Sequence, residues 1–398
     1  MNKKYKITPL FFILINLIAG LCIQYNFNLK FLNYFSILAI CAIILIIILS
    51  FQKKIKIKKI IIKSCVGYYF IFAGIYLFNL QQSEAIAIRE KILNKNISTQ
   101  CKVIEKQPTS NFLFKEIIKI NVKKFKYEDY QSGRTHSTTL RANGILEDIP
   151  NWENENFDLQ IYLREESNLE VDDLIEIPNL EIKPVNIKSI SGNQNFNDYL
   201  IKENIAGTIF INNLEYTLTS RPEFSINRWI SNKRLNILHS IKNKLSKKTM
   251  SLYSCVFLGE KKENYGYVKH SRHLFNYWGI AHFLARAGIH VAILIFIWKL
   301  LINLLPLSFF LKHLILLLFS LIYAYLSFPS ITFTRAILIF MAFEIGKLIN
   351  KRPNFLHTLI LICLSILMLN PYQLFFVDFQ LSFAITFALS YFSRIRKT

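Results

Sequence analysis

The feature that most restricts the fold of this chain is a set of long apolar runs in two blocks, with a polar segment between them. The chain has 398 residues, of which 52% are hydrophobic. Several runs approach the ~20 apolar residues that an α-helix needs to cross a bilayer, and a soluble globular domain does not carry such runs. The sequence therefore predicts a polytopic α-helical membrane protein with a soluble segment inserted into it.

The first apolar block, residues 1–80, contains three predicted spans. The first is interpreted as an anchor, because it has no clear small-residue cleavage site and a second span follows closely. In the third span, Gly67 and Gly74 are positions where two helices can pack closely. The three spans lie near Thr8–Ile23, Asn33–Phe51 and Ser64–Leu80.

The polar insert, residues 81–220, changes to short runs of alternating polar and apolar residues separated by turn-rich pieces. Several short strands at this spacing predict a small β-barrel or sandwich. Helices are predicted near Asn197–Ile205 and Ile226–Leu245, and residues 221–278 form a helical connector. The strand-like runs are "TQCKVIEKQ", "LFKEIIKINVKKFKY", "TTLRANGIL", "FDLQIYLRE" and "DDLIEIPNLEI".

The second apolar block, residues 279–398, contains about five predicted spans. Proline-containing pieces, such as "FPS", "NKRPN" and "NPYQ", separate several of them, because proline disfavours a continuous helix. The predicted spans lie near 279–304, 308–327, 331–349, 355–370 and 373–392.

The positions of lysine and arginine predict the orientation of the eight spans. Basic residues concentrate in short cytoplasmic loops, so Lys3, Lys4 and Lys6 place the N-terminus inside. Counting spans from there puts the insert outside the cytoplasmic membrane and the C-terminus inside. The basic clusters that flank the other spans then fall on the cytoplasmic side as well.

The net charge of +22 is weak evidence for nucleic-acid binding by the insert. From Gln81 to Met250 the chain has 24 basic and 22 acidic residues, so nearly all of the excess flanks the apolar spans. The positive-inside rule explains such a distribution. A nearly neutral insert is not expected to be a strong DNA binder by itself.

The stretch "IAHFLARAGIHVAIL" places a basic stripe in an otherwise apolar predicted span. His282, Arg286 and His290 are four residues apart, so they share one helix face. With a rise of ~1.5 Å per residue, Arg286 lies roughly 12 Å and His290 roughly 18 Å below the outer membrane surface. Gly288 between them permits close helix approach or local unwinding. We expect this stripe to face inward and to line a wet space.

Two further predicted spans carry a charge in the outer half of the membrane, Arg335 in the sixth and Asp378 in the eighth. A charge at that depth costs ~2.5–3.5 kcal/mol on insertion scales and usually faces a partner or a polar cavity. Two alternatives are open. Asp378 pairs with Arg335 or Arg286 as a structural lock, or the surplus positive charge forms a vestibule that accepts an anion.

Neither a catalytic nor a metal site is predicted. The chain has no HExxH or GxSxG motif and no CxxC pair, and His282 and His290 are two turns apart, which is too far to chelate one ion comfortably. No cofactor is expected. Cys101 and Cys255 lie in or beside the insert and could form a disulfide if it faces an oxidising compartment.

Four segments resemble motifs of the ComEC family of competence proteins, in the family's order and with similar spacing. "HFLARAGIHVAIL" resembles the family's "HLLAISGLHV" signature, and "FPSITFTRAILIF" resembles its proline-containing loop followed by Arg-Ala. "LNPYQLFFVDFQLSFAITFAL" resembles its "NP…GFQLSF" segment, and "VFLGEKK" resembles the preceding Leu-Gly-Glu/Asp turn. The N-terminal spans and the insert also match the family's layout.

The resemblance implies a channel in the bacterial inner membrane that passes single-stranded DNA into the cytoplasm during natural transformation, and an OB-like fold for the insert. Its partners would be single-stranded DNA, the lipid bilayer, other DNA-uptake proteins, and a second copy or a separately encoded C-terminal half. The predicted DNA path contains His282, Arg286, Gly288, His290, Arg335, Asp378 and Gln380.

The chain departs from the family pattern at several places. The family's Ser-Gly-Leu-His is Ala287-Gly288-Ile289-His290 here, and the glycine before Phe-Gln-Leu-Ser-Phe is Asp378. No His-x-His-x-Asp-His motif is present, so the resemblance implies a short form without the C-terminal metallo-β-lactamase-like domain. The alternative function is a truncated or degenerate structural membrane protein without transport.

Two hypotheses about DNA contact follow. Arg286 and Arg335 form a phosphate-contacting ring at the outer mouth, with Asp378 orienting one of them, because the planar fork of arginine suits phosphate. Aromatic side chains of the insert stack on bases or, alternatively, form its core. They are Phe112, Phe114, Phe125, Tyr127, Trp152, Phe157 and Tyr162.

Overall fold

A computed structural model of the chain describes residues 9–27, 55–108, 114–127, 152–182, 196–242, 244–246, 249, 253, 277, 288–327, 330–351 and 353–395. It divides into two compact units. The sheet unit contains Ala85–His290 and Ile322–Pro329. The helical unit contains Met1–Glu84, Val291–Leu321 and Ser330–Thr398. Each unit is described by itself below.

The described residues form nine α-helices, one 3₁₀-helix and six strands. The helices are α1 (Pro9–Phe27), α2 (Ile55–Ile92), α3 (Phe196–Lys202), α4 (Ile226–Lys242), α5 (Gly288–Asn303), α6 (Phe309–Leu326), α7 (Ile331–Leu348), α8 (Phe355–Leu369) and α9 (Val377–Ile395), with the 3₁₀-helix at Pro371–Phe375. The strands are β1 (Asn96–Pro108), β2 (Glu116–Tyr127), β3 (Glu153–Leu163), β4 (Leu174–Glu181), β5 (Ile205–Ile211) and β6 (Thr217–Ser220).

The sheet unit contains one mixed sheet with the strand order β5-β3-β2-β1-β4-β6. All neighbours are antiparallel except β3 and β5, which are parallel. The four strands β1 to β4 lie where the sequence predicts them, while β5 and β6 were not predicted. Within the described residues, β5 and β6 each pair on one side only, so the predicted closure into a barrel is not present there.

The core of the sheet unit consists of the alternating apolar side chains of these strands, as expected where one face of a sheet is buried. Examples are Val103 on β1, Ile120 on β2 and Leu159 on β3, which are all fully buried. Cys101 belongs to the same core and is a free thiol whose Sγ donates to the Ile175 carbonyl at 3.6 Å. Burial raises the pKa of Cys101 to about 12. Cys255, its proposed disulfide partner, lies outside the described residues.

The start of α4 and the end of α3, both in the sheet unit, have local structural causes. Helix α4 begins at Ile226, as predicted, because the Ser225 hydroxyl accepts a hydrogen bond from the Arg228 amide at 3.3 Å and so caps the first turn. The helix predicted over Asn197–Ile205 is shorter, since α3 ends at Lys202 and Asn204 takes a positive φ of 55° before β5 begins. Asparagine tolerates that left-handed conformation.

In the helical unit, α1 and α2 run parallel and cross at glycines. A Cβ at Gly74 would lie 2.6 Å from the Leu17 carbonyl oxygen, and a Cβ at Gly20 would overlap the Ile71 carbonyl. The predicted close packing at Gly67 is also present, against Phe12 and Asn16. Backbones approach this closely only where a side chain is missing.

Helices α6, α7 and α8 begin and end within one residue of their predicted spans. Helix α5 is described only from Gly288, while its predicted span begins near residue 279. A 3₁₀-turn, Pro371–Phe375, separates α8 from α9, so α9 begins at Val377 instead of near residue 373. Proline suits the first position of this turn, because a backbone N–H there would have no partner. The later start places Asp378 in the first turn of α9.

Two described helices are long and apolar enough to cross a membrane by length and composition. They are the stretches Pro9–Asn26 in α1 and Phe309–Leu326, which is α6. Shorter apolar helices occur at His290–Asn303 and Phe355–Leu369. The second predicted span, Asn33–Phe51, lies outside the described residues.

Candidate functional site

Arg335 is the charged side chain of the predicted DNA path whose contacts the structure describes most fully. It lies in the second turn of α7 and reaches across to α9. Its Nη1 donates to the Ser382 carbonyl oxygen and to the Thr386 hydroxyl. The guanidinium carbon also lies 5.6 Å from the ring centre of Phe383, a distance at which a cation and an aromatic face attract each other.

All of these partners of Arg335 are electrically neutral. Within the part of the chain that the structure describes, no carboxylate forms an ion pair with Arg335, and its buried Nε has no hydrogen-bond acceptor. A buried guanidinium normally has an anionic partner, since desolvation of a charge is costly. The surroundings described here therefore hold the arginine in place without neutralising it.

Asp378 does not pair with Arg335 in the described residues, so this form of the structural lock is not present. Asp378 lies in the first turn of α9 and is exposed, where the helix dipole favours a negative charge. Because α9 begins later than predicted, Arg335 contacts this helix at Ser382, four residues and ~6 Å further along the axis. The expectation that both charges lie at one membrane depth stays a prediction.

Gln380 holds the turn that precedes α9. Its Nε2 donates to the Leu374 carbonyl oxygen at 2.9 Å, which joins the helix to the 3₁₀-turn. This contact gives Gln380 a structural explanation, and a role in the DNA path stays a prediction.

The basic stripe is described only in part. His282 and Arg286 lie outside the described residues. Gly288 is the first residue of α5 as described, and His290 lies two residues further; both side-chain positions are half-buried. These two residues belong to the sheet unit, while Arg335, Asp378 and Gln380 belong to the helical unit. The phosphate-contacting ring of Arg286 and Arg335 therefore stays a hypothesis.

A second polar cluster in the helical unit was not among the predicted site residues. Glu344 on α7 is only 2% exposed. One of its carboxylate oxygens lies 2.5 Å from His313 Nδ1 on α6, and the other lies 2.5 Å from Lys347 Nζ, one turn further along α7. The sequence signal was a single acidic residue in an apolar span with a lysine three residues later. The histidine partner could be found only from the packing of two helices.

A junction of aromatic and amide side chains connects the "NPYQ" segment to the end of α1 and to residues 78–81 within α2. Tyr25 stacks on Phe375 with ring centres 4.0 Å apart, and Phe78 stacks on Tyr372 at 4.4 Å. Gln81 donates to the Asn370 side chain at 3.3 Å. The segment that resembles a family motif is thus packed against the N-terminal helices of the same unit, a contact that sequence reasoning missed.

The aromatic side chains of the insert separate into core and surface groups. Phe125 and Phe157 are buried in the core, so the stacking hypothesis is wrong for them. Tyr127 lies against Lys95, and Trp152 lies against Lys126. Phe112 lies outside the described residues.

Phe114 and Tyr162 form an aromatic cluster with Phe210, a residue that the sequence analysis did not select. The Tyr162 and Phe210 rings stack 4.8 Å apart, and Phe210 is 46% exposed. Phe114 contacts both rings at 5.6 and 5.5 Å. Burial raises the pKa of the Tyr162 hydroxyl, so that it stays protonated in ordinary conditions.

Among the described residues, no group of three or more His, Cys, Asp or Glu side chains is placed to hold a metal ion. His313 and Glu344 are two such ligands without a third, and Lys347 occupies the other carboxylate oxygen. The charged residues described here can therefore bind an anion, a proton or each other.

Comparison with known proteins finds a similarity for the C-terminal part of the chain. The competence protein family model matches residues 258–398. ComE operon protein 3 of Bacillus subtilis (strain 168) is 33% identical over 111 residues, which cover 28% of this chain and 14% of that protein. No solved structure matches the chain.

The family match includes Arg335, the His313–Glu344–Lys347 cluster and the whole "NPYQ" junction on its C-terminal side. The chain aligns with only a small part of the longer Bacillus protein, so the match concerns this region and does not extend to that protein as a whole. Residues 258–398 of this chain are therefore similar to the competence protein family, and the matched region contains three of the four ordered motifs in full.

Proposed function

We propose that this protein is a bacterial inner-membrane component that passes single-stranded DNA into the cytoplasm during natural transformation. The similarity to the competence protein family supports a role in competence, and the apolar helices support a location in the membrane. The observation that carries the proposal is the Arg335 guanidinium, held by neutral oxygens of α9 without a carboxylate partner in the described residues.

A phosphate group is the anion that this arginine suits. The planar guanidinium has five donors and pairs with phosphate through two parallel hydrogen bonds. Ser382 and Thr386 hold only Nη1, so they fix the side chain while they leave its charge uncompensated. The polyanionic backbone of a DNA strand supplies one phosphate after another to such a position.

The proposed orientation has the N-terminus in the cytoplasm and the sheet unit outside. Within the helical unit, α1 and α2 are parallel. If both helices start on the cytoplasmic side, the chain between them has to cross back through the membrane, as the predicted second span would do. The end of α1 near Tyr25, the end of the predicted third span near Phe78 and the turn at Tyr372 all meet. These three are the ends that the basic residues assign to the outer side.

The sheet unit is proposed to be an OB-like domain. The pairing of β1 with β2 and β4, the β1–β2–β3 meander and the parallel β3–β5 pair are those of a five-stranded OB barrel, which is often partly open. The exposed Phe210 ring and its partner Tyr162 offer a surface for base stacking. The lipid bilayer, other DNA-uptake proteins, and a second copy or a separate C-terminal half complete the proposed partners.

The test is a substitution series at Arg335 with transformation frequency as the measurement. Arg335→Gln should lower DNA uptake by about 10–100-fold, the loss of one or two charge-assisted hydrogen bonds, and Arg335→Lys should recover part of it. Thr386→Val is the matched control, because it removes a holding contact and keeps the charge. Protein abundance in the membrane is measured in every case.

A well-inserted Arg335→Gln variant with unchanged uptake would contradict the phosphate contact. The alternative function, a structural membrane protein without transport, predicts a different result: every variant at this position lowers abundance, and uptake of DNA is already absent with the unmodified chain.

A further inference from the structure

We propose that His313 and Glu344 form a proton-responsive contact that sets the spacing between α6 and α7. The ligand is the proton, taken up by His313, and the device goes beyond the proposed DNA path because it does not include Arg335. It rests on the geometry of three side chains in the helical unit, His313, Glu344 and Lys347.

Glu344 has a cationic partner on its own helix. Its carboxylate is 2% exposed, and Lys347 Nζ, three residues further along α7, lies 2.5 Å from Oε1. The second oxygen, Oε2, faces α6 and is bonded to His313 Nδ1 at 2.5 Å. The carboxylate is therefore paired within α7, and the imidazole is the group of the contact that takes up the proton in this proposal.

Few other contacts hold α6 to α7. The buried residues of α6 are Leu316 and Ser320, which share one face of the helix with His313. The Ser320 hydroxyl is bonded within α6 to the Leu317 carbonyl at 2.7 Å, and Trp298 of α5 stacks on Phe319 at 4.4 Å. The polar contact between α6 and α7 on which this proposal rests is the bond from His313 to Glu344.

The neighbouring charges do not replace His313. On the elements beside α7, the charged or histidine residues are Lys312 on α6, His357 on α8, and Asp378 and Arg394 on α9, and Lys351 follows the helix. The titratable tyrosines and cysteine on these elements are Tyr323, Tyr325, Cys363 and Tyr391. Lys312 donates to the Asn303 carbonyl at 3.3 Å. In the described residues, Glu344 bonds only to His313 and Lys347.

Protonation of His313 adds an ionic attraction to an existing hydrogen bond. With a neutral imidazole, Nδ1–H donates to the carboxylate, so that only the acceptor is charged. With an imidazolium, the same bond joins opposite charges, which attract each other more strongly. An imidazole changes charge between about pH 5 and 8. The contact is thus tight in acid and loose in mild base.

The experiment measures the α6–α7 distance in the full chain in lipid nanodiscs. Spin labels are attached through genetically encoded amino acids at Leu311 and Ile345, which are exposed positions beside the contact. Pulsed electron paramagnetic resonance should give a short, narrow distance distribution at about pH 5 and a longer or broader one at about pH 8. No DNA is present, so a failure here does not bear on Arg335.

Three variants make the result specific. His313→Gln should show the loose distribution at both pH values, and His313→Lys, which keeps a cation, should show the tight one at both. His357→Gln is the matched control and should respond to pH as the unmodified chain does. A pH-independent distance in the unmodified chain, or a full response in His313→Gln, would overturn the proposal. If His313→Gln fails to insert, the pH-independent tight state of His313→Lys is still required.

Discussion

Asp173 in the sheet unit and Arg335 in the helical unit differ in how their charges are paired. In the sheet unit, Asp173 is fully buried and its two oxygens accept four hydrogen bonds, from Arg221, Arg228 and the Glu170 amide, at 2.7 to 2.9 Å. In the helical unit, Arg335 is bonded only to neutral oxygens in the described residues. The Asp173 carboxylate is thus fully paired with cationic and amide donors, whereas the half-buried Arg335 has no carboxylate partner in the described residues.

This difference separates structural charges from candidate functional ones. The Asp173 carboxylate already accepts four hydrogen bonds, so it has no capacity left for a ligand. Its partners Arg221 and Arg228 join β4, β6 and the start of α4. An arginine without an anion keeps an attraction for one. The Glu344 cluster lies between these cases, because one of its partners is an imidazole that changes charge near neutral pH.

The largest effect is expected for Asp173→Asn, which breaks the fully satisfied cluster. Removing one partner of a buried ion pair costs about 3–5 kcal/mol, and since Arg221 is partly exposed, the lower end is expected. The amides of β4 and β6 should then exchange with solvent about 100-fold faster. Hydrogen exchange of the intact chain, followed by mass spectrometry, measures this change.

Glu170→Gln is the matched control for that experiment. Glu170 lies 3.2 Å from Arg228 Nε but is 39% exposed, so it should change the free energy of local opening by less than about 1 kcal/mol. Equal effects of the two substitutions would show that burial does not distinguish the charges of the sheet unit.

A smaller effect is expected for Gly20→Leu in the helical unit, where packing instead of charge joins two helices. Any Cβ at this position overlaps the Ile71 carbonyl, so α1 and α2 must move apart. Such overpacking costs about 1–3 kcal/mol, which should lower the thermal midpoint of the purified protein. Ile15→Leu places the same residue type on an exposed part of α1 and should leave the midpoint unchanged.

The smallest effect is expected for the pH dependence of Asp172 in the sheet unit. Burial opposes the ionisation of Asp172 and is the largest single influence on its pKa. Hydrogen bonds from Lys102 and Ser225 together outweigh burial, and the pKa of Asp172 therefore lies below its ordinary value. A lowered carboxylate pKa contributes stability that is present above the unfolded value, ~3.9, and is lost as the pH falls through the folded value. The contribution of Asp172 to the stability of the sheet unit should therefore be lost as the pH falls below about 4.

Asp172→Asn tests this dependence with little change in the backbone. The residue has a positive φ of 71°, which asparagine tolerates. The variant should be slightly less stable at neutral pH, and its stability should fall less steeply between about pH 4 and pH 2 when it is followed by hydrogen exchange. An identical acid profile for both proteins would remove Asp172 from the explanation.

The helices and most strands could be predicted because their signals are local. The apolar runs of α6, α7 and α8 end within one residue of the predicted spans, as proline and polar residues fix their limits. Strands β1 to β4 follow from alternation. β5, by contrast, has five consecutive buried residues, Ile205 to Ile209, so it shows no alternation, and its parallel pairing with β3 depends on residues far away in sequence.

The candidate site could be predicted residue by residue but not as an arrangement. The sequence alone identified Arg335 and Asp378 as charges that an apolar helix does not carry without a reason, since the cost of desolvation depends only on their surroundings being apolar. Whether they meet depends on where α9 begins, and a five-residue turn moved Asp378 to the exposed end of that helix.

The sequence by itself determined the membrane-type composition, and it predicted the inserted strands, the glycine contact at Gly74 and the similarity to the competence family. Each of these depends on residues that are close together in the chain or on ordered motifs. Only the tertiary structure decided the partners of the charges. It bonded Arg335 to neutral oxygens and Glu344 to His313, 31 residues away. The register and spacing of packed helices set those distances, and neither quantity is encoded in a local pattern.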